Sequence, residues 1–262
     1  LLELSNRLVQ LKFDVDIPID IFSEEPGEDS ATLAALFQEY GFSMWLRQLG
    51  DVGQAPAKVQ TESPIEVEEK AAENSELLQG YSQHLVLSQS DFDGLLKQLS
   101  ACKSFVFDLE TNSLDYMEAQ IVGFVFLLDK QSYYVPVAHD YIAAPAQLSR
   151  QTTLAALKPI LENSDIGKIG QNLKYDAHVL ANVGVDLNGI EDDTMIKSYC
   201  LNSVATRHNM DDLSEFYLGH TTIHFSDVAG KGKKQLSFNE VSLDQAMPYA
   251  CEDVIVTQEL NK

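Results

Sequence analysis

The sequence predicts an α/β domain with a mixed sheet, and three observations carry that expectation. Apolar strand-like segments follow one another at short spacing over residues 104–138. Helix-period segments dominate from residue 148 onward. One more short strand, Lys168–Gly170, is inserted among those helices, an order that belongs to an α/β domain. The 262 residues, 45% of them hydrophobic, suffice for one or two domains with a real core.

Taken in order, residues 11–21 alternate apolar and polar, the period of a half-exposed strand, which Pro18 confines to an edge or interrupts. Ser30 is placed to cap a helix over 31–40, and Gly41 to end it. A second helical piece, Ser43 to Leu49, holds the single tryptophan, Trp45. Residues 1–50 read as the end of a domain, a small N-terminal remnant. No aromatic residue separates Trp45 from Tyr81, and the stretch 51–80 is rich in Glu, Ala, Gln and Pro. Such a composition buries too little surface to offset its ordering entropy, so it reads as an acidic linker, with a solvated helix over 65–79 as the alternative. Beyond Tyr81 the texture changes. Ser104–Asp108 reads as a buried strand, and Ile121–Leu128 with Tyr133–Ala138 completes an antiparallel meander. Helical patterns follow at 148–162, 173–183, 192–202, 210–218 and 243–261, without internal repeats.

Composition narrows the function classes. No run of about 18 apolar residues exists to span a membrane. The chain begins Leu-Leu-Glu-Leu-Ser, without initiator Met, basic n-region or cleavage site, which argues against a signal peptide and predicts a piece of a longer chain. Cys102, Cys200 and Cys251 lack metal-ligand spacing and are expected as small buried hydrophobes in a reducing cytoplasm. The net charge of −22 sits awkwardly with a partner gripped by its phosphates. Residues 1–80 hold 16 acidic and 5 basic side chains, and residues 81–262 hold 24 and 13, so the acidity is not confined to a tail.

Three acidic elements stand out. Asp108 and Glu110 end an apolar strand, where positions i and i+2 share a face. Two carboxylates side by side repel, and a hard divalent cation such as Mg²⁺ or Mn²⁺ removes the conflict. Alone, the pair is a weak signal and reads more readily as a solvated strand end. Asp176 falls in the first turn of a helix after a short strand, a place where an anion also serves as a simple dipole partner. Tyr249 and Asp253 share a helix face one turn apart, with Pro248 near that helix's start or kinking it. As a set they suit a two-cation site that activates water and stabilises the entering and leaving oxygens of phosphoryl displacement. Bound cations would also reverse the local sign of an acidic protein.

Residues 81–262 resemble the proofreading exonuclease domain of bacterial family A DNA polymerases. The resemblance rests on Phe-Asp-Leu-Glu-Thr-Asn-Ser-Leu-Asp (107–115), Pro-Val-Ala-His-Asp-Tyr (136–141) and Gly-Gln-Asn-Leu-Lys-Tyr-Asp (170–176). It extends through Asp-Thr-Met (193–195), Leu-Asn-Ser-Val-Ala-Thr-Arg-His (201–208), Phe-Ser-Asp-Val-Ala-Gly-Lys-Gly-Lys (225–233) and Tyr-Ala-Cys-Glu-Asp (249–253). Residues 1–50 resemble, more weakly, the end of the 5′-nuclease domain that precedes it in those polymerases.

The resemblance implies a ribonuclease H-like 3′→5′ exonuclease fold, with a mixed sheet and flanking helices. It implies two divalent cations, Mg²⁺ or Mn²⁺ with Zn²⁺ admissible at one site, held by Asp108, Glu110, Asp176 and Asp253. Tyr249 then positions the attacking water. Leu114 and Phe225 match apolar side chains that wedge against the last bases, as single-strand recognition by stacking requires. Gln171, Asn172, Tyr175 and Arg207 match positions lining the substrate cleft. The implied partners are a single-stranded or frayed 3′ end of DNA, a polymerase domain that would follow, and a 5′-nuclease domain that would precede, in a bacterial cytoplasm.

Other features carry less. Gly230-Lys-Gly-Lys-Lys234 lacks Walker spacing and reads as a basic loop, solvated or near DNA. The six histidines do not cluster at ligand spacing, and His139, His208, His220 and His224 are expected to be structural, hydrogen-bonded or at the surface. Two alternatives stay open: an RNA-trimming exonuclease resembling ribonuclease D, and a silent interaction domain that keeps the fold.

Overall fold

The computed structural model of the chain describes residues 30–42, 45, 46, 49 and 75–262. The expected strand at 11–21 and residues 51–74 of the expected linker lie outside them. The chain divides into two units, Leu1–Thr61 and Glu62–Lys262. In the first, helix α1 (Ser30–Glu39) gives way to Gly41 with φ 74°, a left-handed residue where a side chain would strain the turn. Phe37, Phe42 and Trp45 form an aromatic cluster with ring centroids 5.0–6.1 Å apart.

Among the described residues of the second unit the first element is a single turn, α2 (Ser75–Leu78), inside the range read as linker; Leu77 and Leu78 pack on the core. There follow β1 (Ser82–Leu85), α3 (Gln89–Ala101), β2 (Ser104–Thr111), β3 (Ile121–Leu128) and β4 (Gln131–Pro136). Then come α4 (Arg150–Leu161), β5 (Gly167–Gly170), α5 (Leu173–Asn182), β6 (Ile190–Asp193) and α6 (Thr194–Leu201). The unit closes with α7 (Met210–Leu213), a π-helical turn Ser214–Leu218, α8 (Phe225–Ala229) and the long α9 (Leu243–Leu260), which contains Pro248.

The strands form one mixed sheet in the order β1-β4-β3-β2-β5-β6. Its middle is the expected antiparallel meander β2-β3-β4, while β1 pairs with β4, and β5 with β2 and β6, in parallel. All eight residues of β3 are buried, as an apolar run covered on both faces should be. One face carries Phe105, Phe107, Phe124 and Phe126 against Leu95 and Leu99 of α3 and Leu157 and Leu161 of α4. The other carries Val106, Val122, Val125 and Leu127 against Ala246, Ala250, Val254 and Ile255 of α9. Two packed layers thus sandwich the sheet.

The edge strands β1 and β6, each four residues long, and the helix α3, which buries Phe92, Leu95 and Leu99 at helical spacing, are absent from the expected list. The helix expected from 192 starts at Thr194, because Asp192 and Asp193 still pair with β5. Of the cysteines, Cys251 is buried, Cys102 partly so and Cys200 exposed. Among the described residues no helix is long and apolar enough to cross a membrane.

Candidate active site

Alternation along β2 decides where its carboxylates go. Phe105, Phe107 and Leu109 face the α3 and α4 layer, so Val106, Asp108 and Glu110 face α9. On α9, Ala246, Ala250 and Val254 lie against the sheet. Their helical neighbours Tyr249 and Asp253, one turn apart, come down at the carboxylate end of β2. Ligand oxygens of Asp108, Glu110 and Asp253 lie within 4.8 Å of one another.

Asp176 arrives from the first turn of α5, which must begin close behind β2. Gly170 permits this: a Cβ there would sit 2.4 Å from the Leu173 side chain and 2.9 Å from the Phe107 carbonyl. Asn172 then turns the chain at φ 62°, a left-handed conformation that Asn tolerates. The Asp193 carboxylate fixes the start of the helix. It accepts the N–H groups of Asn172 (3.1 Å) and Leu173 (2.8 Å) and also those of Met195 (3.0 Å) and Ile196 (3.2 Å), bracketing α5 to α6. Asp176 stands outside the three-oxygen cluster but feels the charge of Asp108.

Burial is severe for these acids. Glu110 is 7% exposed and Asp176 2%. Glu110 Oε1 and Asp176 Oδ1 are buried without a hydrogen-bond partner. Desolvation pushes the Asp108 carboxyl up to about 7, and lifts Glu110, Asp176 and Asp253 well above the usual carboxylate range, with mutual repulsion adding to each of these three. Unpartnered hard oxygens under like-charge strain fit a divalent cation of the Mg²⁺ type. The Tyr249 hydroxyl, bonded to Asp253, is raised first by that carboxylate and then by burial, so it stays a proton donor.

A cleft of about 510 Å³ opens over the cluster. Asp108, Glu110, Asp253 and Tyr249 line its floor, with Leu114, Tyr175 and Phe225 around them. Leu114 is 94% exposed, an apolar side chain held out at the rim. The Tyr175 hydroxyl bonds Thr111 Oγ1 (2.6 Å) and donates to the Ser113 carbonyl, tying α5 to the loop that carries Leu114. Tyr249 sits in an aromatic cluster with Phe225 and Phe238, centroids 5.8–6.4 Å apart.

The remaining expected residues are placed differently. Gln171 spends its amide internally, donating to the His208 carbonyl (2.9 Å) and accepting from Thr194. Asn172 shapes the start of α5, and Arg207 is exposed near Asp212, its Nε 3.9 Å from a carboxylate oxygen. None of these three lines the cleft. Sequence reasoning missed Leu236 and Phe238, which do line it, and no local period marks them. It also missed Asp211, whose charge acts on both Tyr249 and Asp253. The histidines are structural: His139 is bonded to Tyr134 and Val241, His208 to Ser198, His220 to Glu252 and His224 to Asp211.

Comparison with known proteins agrees with this architecture. The family described as 3′-5′ exonuclease matches residues 83–262. DNA polymerase I of Pseudomonas aeruginosa is 42% identical over 264 residues, covering 99% of this chain and 28% of that protein. DNA polymerase I of Chloroflexus aurantiacus is 29% identical over 278 residues, covering 98% and 29%. The chain spans under a third of these curated relatives. Among solved structures, Trypanosoma brucei RNase D in complex with RNA U12 aligns with a TM-score of 0.57 at 17% identity, over 73% of this chain and 65% of that one. The POL domain of Pol1 from M. smegmatis aligns at 0.50 and 17%, over 67% and 26%. At such identities the likeness concerns the fold.

Proposed function

The chain belongs to the 3′-5′ exonuclease family, and on that premise we propose that it is the proofreading part of a bacterial DNA polymerase I, hydrolysing the 3′-terminal phosphodiester of DNA to release nucleoside monophosphates. The observation that carries this reading is the convergence of Asp108, Glu110 and Asp253 within 4.8 Å, with Asp176 adjoining, beneath a cleft rimmed by apolar side chains.

Asp108, Glu110, Asp176 and Asp253 would hold two divalent cations, Mg²⁺ or Mn²⁺. When bound, such cations supply Lewis-acid stabilisation to the oxygens entering and leaving phosphorus. The chain's own residues do the rest. Phe225 offers a ring on which a terminal base stacks and Leu114 wedges against the bases by apolar contact, which favours an unpaired end. The Tyr249 hydroxyl, kept protonated beside Asp253, orients a water towards the terminal phosphate. Tyr175 braces the Leu114 loop. In this reading Gln171, Asn172 and Arg207 act on the substrate through the cleft walls they shape, or from its approach.

The same reading makes residues 1–50 the end of a 5′-nuclease domain, 51–80 a linker and 81–262 the exonuclease domain. A polymerase domain of the same protein is then its partner, in the cytoplasm. The test is direct. Asp108→Ala should abolish Mg²⁺-dependent shortening of a 3′-labelled DNA oligonucleotide, and degradation by that variant at the parental rate overturns the assignment. Parallel rates on RNA of the same sequence separate a DNA substrate from an RNA one.

A further inference from the structure

The cleft poses an electrostatic problem that its own lining does not solve. Its floor is acidic, and among the described residues no lysine or arginine lines it. Cations at the floor answer for the phosphate being cut. They do nothing for the phosphates further along the strand, which meet a protein of net charge −22. Any strand lying in the cleft needs positive charge at its mouth.

One wall supplies it. Gln235, Leu236 and Phe238 line the cleft, and the segment leading into them is Gly-Lys-Gly-Lys-Lys, residues 230–234. Its shape is specified by backbone, not by packing. Gly230 and Gly232 take φ 79° and 71°, and a Cβ at either would meet nothing, so conformation alone demands glycine. The loop is closed at its base by Leu236 N–H donating to Ala229 O (2.8 Å) and within by Gln235 N–H donating to Gly232 O (3.1 Å). Ala229 ends α8, the helix whose first residue is Phe225, so the loop is tied at both ends to residues of the cleft wall. Lys231 and Lys234 are exposed, and neither has a carboxylate partner among the described residues.

We propose that this loop is a second contact site for the substrate strand, in which Lys231 and Lys234 bind sugar-phosphate groups upstream of the scissile bond. The inference rests on the nuclease reading of the cleft and adds how an acidic domain holds a polyanion. The loop contributes to binding and not to the chemical step.

The test compares the 262-residue chain with the K231Q/K234Q variant on two substrates. One is the p-nitrophenyl ester of thymidine 5′-monophosphate, too short to reach the loop. The other is a single-stranded oligothymidylate. Ester hydrolysis should be equal for the two proteins. On the oligonucleotide KM should rise with kcat unchanged, and the slope of log KM against log salt should fall by about 0.7 per lysine. Equal KM values and equal slopes overturn the proposal. A loss of ester hydrolysis equal to the loss on the oligonucleotide overturns it too, since the loop would then be shaping the floor. Failure of the unaltered chain on both substrates counts against the nuclease reading instead. The loop is then judged by fluorescence anisotropy of the labelled oligonucleotide, where equal affinities and salt slopes sink it and a weakened variant supports it.

Discussion

Gly123 lies directly opposite Glu110 in the ladder between β3 and β2, and the ring of Tyr134 fills the space where its side chain would be. A Cβ there would stand 2.3 Å from Tyr134 Cε2 and 2.6 Å from the Tyr134 hydroxyl. Tyr134 is fully buried and bonds His139 Nε2. The Glu110 carboxylate therefore rests beside a tightly packed aromatic residue.

Gly123→Ala should consequently cost about 1–3 kcal/mol of stability, the range for overpacking a full core. It should also weaken Mn²⁺ binding, because the displaced ring pushes on Glu110. Denaturant titration and calorimetry with Mn²⁺ check the two effects separately.

The pH dependence of stability follows from the raised carboxyls. Asp108 has a folded value of about 7 against 3.8 for the free group. Its contribution is fully present at low pH, where both states are protonated. It is lost as pH rises from 3.8 to about 7, because folding then opposes ionisation. Glu110, Asp176 and Asp253 act in the same direction. Metal-free protein should thus melt at a lower temperature at pH 8 than at pH 5, once other groups are matched with the Asp108→Asn variant. Added Mg²⁺ should raise the melting temperature more at the higher pH. Thermal scans across pH, with and without the ion, measure this, and a metal-induced rise that is independent of pH contradicts it.

Asp193 accepts four backbone N–H groups that begin two helices. Asp193→Ala should destabilise the fold by about 2 kcal/mol, two lost caps at roughly 1 each. Loosening α5 should also weaken metal binding through Asp176. The conservative Asp193→Asn should recover part of the stability, as seen by urea unfolding.

Tyr249→Phe keeps the ring among Phe225 and Phe238 and removes the hydroxyl beside Asp253. The expected result is a kcat lower by about 100-fold, the low end for a positioned proton-handling group, with metal affinity little changed. Steady-state kinetics on an oligonucleotide, beside Mn²⁺ calorimetry, distinguish this from a folding defect.

How much of this was written locally in the chain depends on the residue. Asp108 with Glu110, and Tyr249 with Asp253, were readable because each pair sits within one period of its own element. Their meeting was not, since it depends on Val106 and Val125 packing against Ala250 and Val254 across the sheet. The meander was readable from continuous apolar runs, whereas β1, the four residues Ser-Gln-His-Leu, buries none of them fully, and α3, which buries Phe92, Leu95 and Leu99 at helical spacing, carries a period that the expected list omits. Gln171 illustrates the limit for polar residues: the sequence shows an amide beside a site, and only the fold shows it held by Thr194 and the His208 backbone.

The four carboxylates come from β2, α5 and α9, so the cluster of Asp108, Glu110 and Asp253 is completed by α9. A ribosome making this chain delivers Asp108 and Glu110 long before Asp253. Until α9 has been made and has docked against the sheet, the cluster of Asp108, Glu110 and Asp253 cannot form. On the proposed reading, a chain cut short of α9 keeps Asp108 and Glu110 but lacks Asp253, and so has no complete site with which to attack nucleic acid.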